Sequence, residues 1–255
     1  MLALPVPADL DPVVAACWVL DGGTVPRGLP QPAVDLLVMP DGTYWLAGPE
    51  TRRRQGRLPE GGPLVGLRLR PGTVTGLFGL AADEVPLAGT PLKGGHPGGG
   101  AVTRTVTRTV AARSAGAFEL VRQRRRAGGC RVDERVRAVL AAMHAAPGAP
   151  VSRHAAEAGL SERQLRRRFA VAVGLRPKSY ARVIRLHHAL AVAREALARG
   201  ERPDWADIAV RSGCYDQPHL LAEFRHAVGT PPATLLADVR FLQSPAARRR
   251  RDSDA

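Results

Sequence analysis

Residues Ala155–Tyr180 read AAEAGLSERQLRRRFAVAVGLRPKSY, and residues Ala209–Leu235 read AVRSGCYDQPHLLAEFRHAVGTPPATL. The second stretch repeats the first. Ala155 and Gly159 pair with Ala209 and Gly213 at an offset of 54 positions. From Leu165 onward the offset is 55, pairing Leu165 with Leu220, Phe169 with Phe224, Gly174 with Gly229, Pro177 with Pro232 and Tyr180 with Leu235. A repeat this long, with one residue inserted in its turn, is not a chance match. Each copy reads as a short helix, a turn, and a second helix with one apolar stripe. That is a helix-turn-helix, whose second helix can enter the major groove of DNA. Two copies on one chain point to a DNA reader.

Local signals mark the ends of these helices. Ser152 is expected to cap a short helix running to Ala158, with Gly159 in the turn and Ser161 capping the next helix. In the second unit Asp204 caps a helix through Ser212, Gly213 makes the turn, and Asp216 caps the partner. Ahead of both, Val136, Val139, Leu140 and Met143 recur at three- and four-residue spacing, which predicts a helix from Val132 that stops before Pro147. Between the units, Pro177–Arg199 has Pro at its start and no internal breaker. Val183, Leu186, Leu190 and Leu197 form its stripe. Such a helix spans about 34 Å, close to one turn of B-DNA. A single chain can then read two adjacent major-groove segments without a partner.

On a helical wheel Leu165, Phe169 and Ala172 form the buried stripe of the first reading helix, while Arg163, Arg166 and Arg167 share the opposite face. An arginine can donate two hydrogen bonds to O6 and N7 of guanine. Arg168 lies on the flank of the core and is expected to reach a phosphate or an acidic neighbour. In the second unit Leu220, Phe224 and Val228 are the stripe, leaving Gln217, Pro218, Leu221, Ala222 and Arg225 outward. Gln217 could read adenine and Leu221 could touch a thymine methyl. Arg225 and His226 suit backbone contacts. This face has few donors, so weaker sequence discrimination is expected of it.

The charge distribution agrees. Of 37 Lys+Arg and 23 Asp+Glu, residues 1–90 hold 7 basic and 9 acidic residues, so everything after residue 90 carries a net +16. A basic back half suits a polyanion whose counterions it displaces. No run of 18 or more apolar residues occurs, and the start lacks a basic n-region and an apolar h-region, which predicts a soluble, cytoplasmic protein without a membrane partner. Cys17, Cys130 and Cys214 are far apart with no CxxC, so they imply neither a disulfide framework nor a zinc site. Neighbouring His187 and His188 diverge on a helix and chelate poorly; His219 and His226 follow later. No cofactor or metal is expected.

Residues 1–92 are rich in Pro and Gly. Ala33–Met39, Thr43–Ala47 and Leu64–Leu69 read as strands, with Pro40-Asp41-Gly42 as a hairpin turn. Trp18, Trp45 and Leu67 are expected in the core, and Thr73–Leu80 as a short helix. Lys93–Gly100 (KGGHPGGG) marks the boundary. Residues 93–130 read as a basic flexible connector: Thr103–Thr109 alternates like a strand, a helix could start at Ala111, and the charge of Arg122–Arg126 could graze DNA. Residues 244–255, with Arg248–Arg251, read as a disordered tail. The chain is thus α+β: a small, mainly β front domain (1–92), then an all-α domain (131–243) with two helix-turn-helix units joined by a long helix.

The pattern Ala155-x3-Gly159-x-Ser161-x-Arg163-x-Leu165-x-Arg167-x-Phe169, then Gly174-x2-Pro177-x2-Tyr180, resembles the first helix-turn-helix of AraC/XylS-type transcription regulators. Asp207-Ile208-Ala209, Gly213, Asp216-Gln217-x-His219-Leu220, Phe224, Arg225 and Gly229-x-Pro231-Pro232 resemble the second. The resemblance covers nearly half the chain. It implies a seven-helix DNA-binding module whose base readers map onto Arg163, Arg166 and Arg167 and onto Gln217, Pro218, Leu221 and Ala222. Ala222 departs from the arginine many members carry there, which implies weaker readout by the second unit. The front is similar, more loosely, to sensor domains of bacterial members, through Trp18, Pro40-Asp41-Gly42, Gly48-Pro49-x-Thr51 and Gly66–Gly72. Arg68 and Arg70 share one face of a strand and could contact an anionic effector; the alternative is a solvated face or a structural ion pair.

These readings predict a one-component transcription regulator that binds double-stranded promoter DNA and contacts RNA polymerase. Its front domain would sense a small molecule or mediate homodimerisation. The alternative from another class is a DNA-repair enzyme carrying the same module. A methyl-accepting cysteine needs activation by neighbouring bases or zinc ligands, and Cys17, in VVAACWVL, has none in sequence. The Gly94–Gly100 run lacks the Lys-Ser/Thr of a P-loop. A nonspecific DNA-packaging protein is a third reading, which the acidic front argues against. The chain is therefore read as a non-enzyme.

Overall fold

The computed structural model describes residues 1–21, 29–53, 60–92, 109–128 and 132–236. The front of the chain forms an antiparallel sheet from β1 (Leu2–Leu4), β2 (Val14–Leu20), β3 (Asp35–Val38), β4 (Tyr44–Ala47), β5 (Leu64–Leu69) and β6 (Thr90–Pro91). Their order across the sheet is β1-β2-β5-β3-β4-β6. The three strands expected from the sequence are present, the first shortened at both ends. The turn between β3 and β4 is the expected hairpin: Gly42 N–H donates to the Met39 carbonyl at 2.9 Å, and the Asp41 carboxylate accepts from the Thr43 amide at 2.9 Å.

Alternation along the strands divides the sheet into two faces. Cys17, Val19, Leu36, Val38, Leu46, Val65, Leu67 and Leu69 point to one side and form the main front core. On the other side the Trp18 ring lies across Gly66, beside buried Leu20 and Leu64. Trp18 and Leu67 are buried as expected, but Trp45 is only half-buried and its neighbour Tyr44 fills the core instead. Adjacent strand residues face opposite ways, so only one of the two aromatics can point inward.

Two helices cover the core face. Helix α1 (Val74–Phe78) falls within the segment expected to be helical and buries Val74 and Leu77. Helix α2 (Val110–Gly128) follows the reading of a helix from about Ala111, and over this stretch it replaces the flexible connector. Residues 93–108 lie outside the described residues, but α2 adds Ala117, Phe118, Leu120 and Val121 to the front core. Part of its charge turns inward, while Arg125 and Arg126 stay exposed. Arg113 is buried and donates to the carbonyls of Pro63 and Pro40, and Arg122 clasps the Asp9 carboxylate at 2.7 and 3.0 Å. The Arg122 bonds hold the Asp9 carboxyl below its ordinary range.

The back half is helical: α3 (Glu134–Ala145), α4 (Val151–Glu157), α5 (Glu162–Val173), α6 (Pro177–Ala198), α7 (Trp205–Arg211) and α8 (Gln217–Val228). Val136, Val139, Leu140 and Met143 of α3 pack with Ala155, Leu165, Phe169 and Tyr180 in one core. Leu186 and Leu190 pack with Ile208, Ala209, Leu220, Phe224 and Val228 in a second. Helix α6 serves both, giving Tyr180 and Ile184 to the first and Leu186 and Leu190 to the second. Ser152 does not cap α4. Pro150 takes the cap position with φ −64° and ψ 144°, so the helix starts two residues earlier than a Ser152 cap would place it, at Val151. The tail 244–255 and Cys130 lie outside the described residues.

Candidate nucleic-acid interface

The two units are built alike down to the hydrogen bonds of their turns. Leu160 N–H donates to the Ala155 carbonyl, and Cys214 N–H donates to the Ala209 carbonyl, each at 2.9 Å. Gly159 and Gly213 take φ of 63° and 77°, the left-handed turn that lets the chain reverse into the reading helix. Ser161 Oγ accepts from the Gln164 amide while the Gln164 side chain accepts from the Ser161 amide, a reciprocal cap on α5. Asp216 caps α8 by accepting from the His219 amide at 2.8 Å, and Asp204 caps α7. These caps fix the end of each helix that would enter the groove.

On α5 the buried residues are Leu165, Phe169, Ala172 and Val173, and Arg163, Arg166 and Arg167 are exposed on the opposite side. Arg166 is held by Glu162 at 3.1 Å. Arg163 and Arg167 have no ion-pair or hydrogen-bond partner among the described residues, so their donors are unspent. Arg168 has found the acidic neighbour: it binds Asp133 at 2.7 Å. Burial pushes the Asp133 carboxyl up, but Arg168 and the amides it accepts from at the start of α3 outweigh that and hold it below its ordinary range. A shallow cleft beside Arg166, bordered by Glu162, Arg176, Pro177 and Lys178, continues the basic surface.

On α8, Gln217, Pro218, Ala222 and Arg225 are exposed and Leu221 is half-buried, while Leu220 and Phe224 are fully buried. His226 faces the front domain, where Arg52 donates to its Nε2 at 3.1–3.3 Å. The second reading face is thus poorer in free donors than the first.

Residues 154–238 match the model of a family described as a helix-turn-helix domain. Residues 154–238 carry an AraC-type helix-turn-helix domain. Residues 3–86 match a domain of unknown function, DUF6597. Three crystal structures of ToxT from Vibrio cholerae align along most of the chain. One at 1.65 Å resolution is 8% identical, with 86% of this chain and 96% of that one covered and a TM-score of 0.43. That from strain O395 is 7% identical, covering 86% and 95%, with a TM-score of 0.46. An unsaturated fatty acid-bound form is 10% identical, covering 88% and 94%, with a TM-score of 0.39. No curated protein matches the chain.

The AraC-type domain contains a joint that the sequence reading missed. Glu223 is buried beside Phe224 and gathers Arg185 and, at 3.7 Å, Arg182 from α6, with His219 at 3.4 Å from its own helix. Arg185 also reaches the Pro147 carbonyl at 3.4 Å. Next to this cluster Gly148 and Gly213 meet backbone to backbone: a Cβ on Gly148 would lie 2.5 Å from the Gly213 Cα. The loop before the first unit is thereby fixed to the turn of the second. The available signal was a single acidic residue beside the apolar stripe of α8, and its main partner, Arg185, lies 38 positions away.

Arg68 bonds both carboxylate oxygens of Asp35, at 3.1 and 3.0 Å, and Arg70 binds Asp11 at 2.7 Å. Both arginines thus take the ion-pair alternative to the effector contact, each meeting an acidic residue on a facing segment. Cys17 and Cys214 are buried, and burial pushes each thiol up to about 11. His187 and His188 diverge as expected: the first donates to the Pro30 carbonyl at 2.9 Å, and the second meets Ser212 Oγ at 3.2 Å. Among the described residues no group of three His, Cys, Asp or Glu could hold a metal, and no helix is long and apolar enough to cross a membrane.

Proposed function

We propose that this chain is a sequence-specific transcription regulator that lays α5 and α8 into two adjacent major-groove segments on one face of promoter DNA, under the control of its front domain. The observation that carries this reading is the length of α6. Its 22 residues span about 33 Å at 1.5 Å per residue, against about 34–36 Å between successive major grooves. Helix α5 supplies most of the information, through the free guanidinium groups of Arg163 and Arg167, with Arg166 joining once it leaves Glu162. Helix α8 contributes Gln217 and the small surfaces of Pro218, Leu221 and Ala222, and Arg225 reaches the backbone. Bound in this way, the protein acts on RNA polymerase. The front domain senses a small molecule or pairs two copies of the chain.

The work proposed is binding rather than catalysis. The repair-type alternative needs a reactive thiol, and Cys17 sits in the front core with its thiolate disfavoured by burial.

Selection of duplexes from a random library of about 25 base pairs, at about 150 mM salt, tests the reading, because nonspecific phosphate contacts weaken steeply with salt. Two enriched blocks one helical turn apart are expected, with the stronger block assigned to α5. Retention of DNA without enrichment would overturn it and favour a packaging role.

A further inference from the structure

We infer that the segment Pro49–Arg53, together with α1 and the 3-10 turn Ala82–Glu84, is a bracket by which the front domain sets the alignment of the two reading helices. The inference rests on the two-segment reading proposed above. A helix leaves its last carbonyls without partners inside the helix. Both reading helices have one such carbonyl met from the front domain. At the end of α5, Thr75 Oγ1 of α1 donates to the Val171 carbonyl at 3.4 Å. At the end of α8, Arg53 N–H donates to the Ala227 carbonyl at 2.6 Å, and the Arg52 guanidinium donates to His226 Nε2. In the repeat, Ala227 is the counterpart of Ala172, so the front domain meets the two units at nearly the same level.

The bracket is itself anchored. Gly48 N–H donates to the Pro86 carbonyl at 3.0 Å, and Glu50 N–H donates to the Gln31 carbonyl at 2.7 Å. Pro49 packs on the cap of α5 while Arg52 and Arg53 hold α8, so five consecutive residues touch both reading helices. All these contacts lie at the C-terminal ends. Arg163, Arg166, Arg167 and Gln217 lie in the first half of their helices. The front domain therefore leaves the reading faces clear and can hold the helices while they are on DNA. Within the AraC-type domain, α6 and the Glu223 joint tie the units together, and the bracket adds a second tie from the front domain. A rearrangement of the front domain that shifts this segment would alter the angle between the helices without touching DNA.

The two cap glycines provide a matched test. Gly174 and Gly229 end α5 and α8 with φ of 81° and 77°, so a side chain at either meets the same backbone cost. Only Gly174 faces the front domain: a Cβ there would lie 2.7 Å from the Ala82 carbonyl oxygen and 2.9 Å from Pro49 Cγ, whereas Gly229 has nothing within 4 Å. Full-length wild type, Gly174→Ala, Gly229→Ala and Arg52→Ala would be compared on duplexes carrying the two selected blocks at their selected spacing, with one base pair added or removed, and with one block scrambled; melting curves would confirm that each is folded. The expected result is that Gly174→Ala and Arg52→Ala lose about three- to tenfold of the wild-type preference for the correct spacing, the scale of one or two hydrogen bonds. Gly229→Ala should keep that preference, and binding to the single-block duplex should not change. Wild-type spacing preference in both Gly174→Ala and Arg52→Ala, or an equal loss in Gly229→Ala, would overturn the bracket. Failure of the wild type to enrich two blocks would instead overturn the two-segment reading, and the bracket with it.

Discussion

Arg185, on the helix that joins the two units, donates to both carboxylate oxygens of Glu223 on the second reading helix, its Nε reaching Oε2 at 3.3 Å. The pair is nearly buried, with 16% and 9% of the two side chains exposed. Removing Arg185 leaves the buried Glu223 carboxylate only the longer contacts to Arg182 at 3.7 Å and His219 at 3.4 Å. Arg185→Met should cost about 3 kcal/mol, and the double change with Glu223→Leu should recover most of it, because a buried pair contributes less than a lone buried charge costs. Urea denaturation of the single and double variants measures this. A double variant less stable than Arg185→Met would show that the pair itself holds the joint.

The arginines of α5 should separate into two groups. Arg163→Ala and Arg167→Ala each should cost about 1–3 kcal/mol on the selected duplex and little on random DNA. Arg168→Ala should leave sequence preference intact and lower stability by about 0.5–1 kcal/mol, because its partner is Asp133. Arg225→Ala should weaken all duplexes alike. Affinities on selected and random duplexes at one salt concentration make the comparison, and equal losses on both for Arg163→Ala and Arg167→Ala would overturn their roles.

In the front domain, a methyl group on Gly66 would lie 2.1 Å from the Trp18 ring. Neither strand can move without breaking the β2–β5 ladder, where Trp18 and Gly66 are opposed. Gly66→Ala should therefore cost about 3 kcal/mol by overpacking, seen as a lower melting temperature and a shifted tryptophan emission. Trp18→Leu in the same chain should restore part of the loss. A Gly66→Ala variant that melts like the wild type would show that the ring has room to move.

His144 and His187 set a pH dependence. Burial lowers both imidazole pKa values from the ordinary value near 6.5. The folded chain then binds fewer protons than the unfolded one in that window, so stability is full above about 6.5 and falls as the pH drops below it. His187→Gln keeps an N–H for the Pro30 carbonyl and removes one titrating ring. The urea midpoint should fall between about pH 7.5 and 5.5 in the wild type and fall less in His187→Gln. Parallel slopes would exclude His187 as a source.

What could be read from the sequence was local or periodic. The repeat, the caps Ser161, Asp204 and Asp216, and the stripes through Leu165 and Phe224 follow from spacing alone. Arg163 and Arg167 could be assigned to the outer face because a helix fixes which side a residue takes. Pairings across long separations were not legible. Arg68 finds Asp35 at 33 positions and Arg185 finds Glu223 at 38, and nothing in either segment names its partner. The charge of α2 concealed its apolar side, so a core helix read as connector. Tyr44 and Trp45 were both plausible core residues, and only the covering of one sheet face decides between them.

Gly148 and Gly213 touch with no side chain between them, one ahead of the first unit and one inside the second. The consequence concerns inheritance. Neither position can acquire a methyl group without forcing the other's backbone away, and no compensating change at the facing residue can make room, since glycine has nothing left to remove. One unit of this pair cannot be exchanged for a relative's unless the facing glycine is kept. The two halves of the repeat, though free to diverge in the residues that face DNA, are transmissible only together.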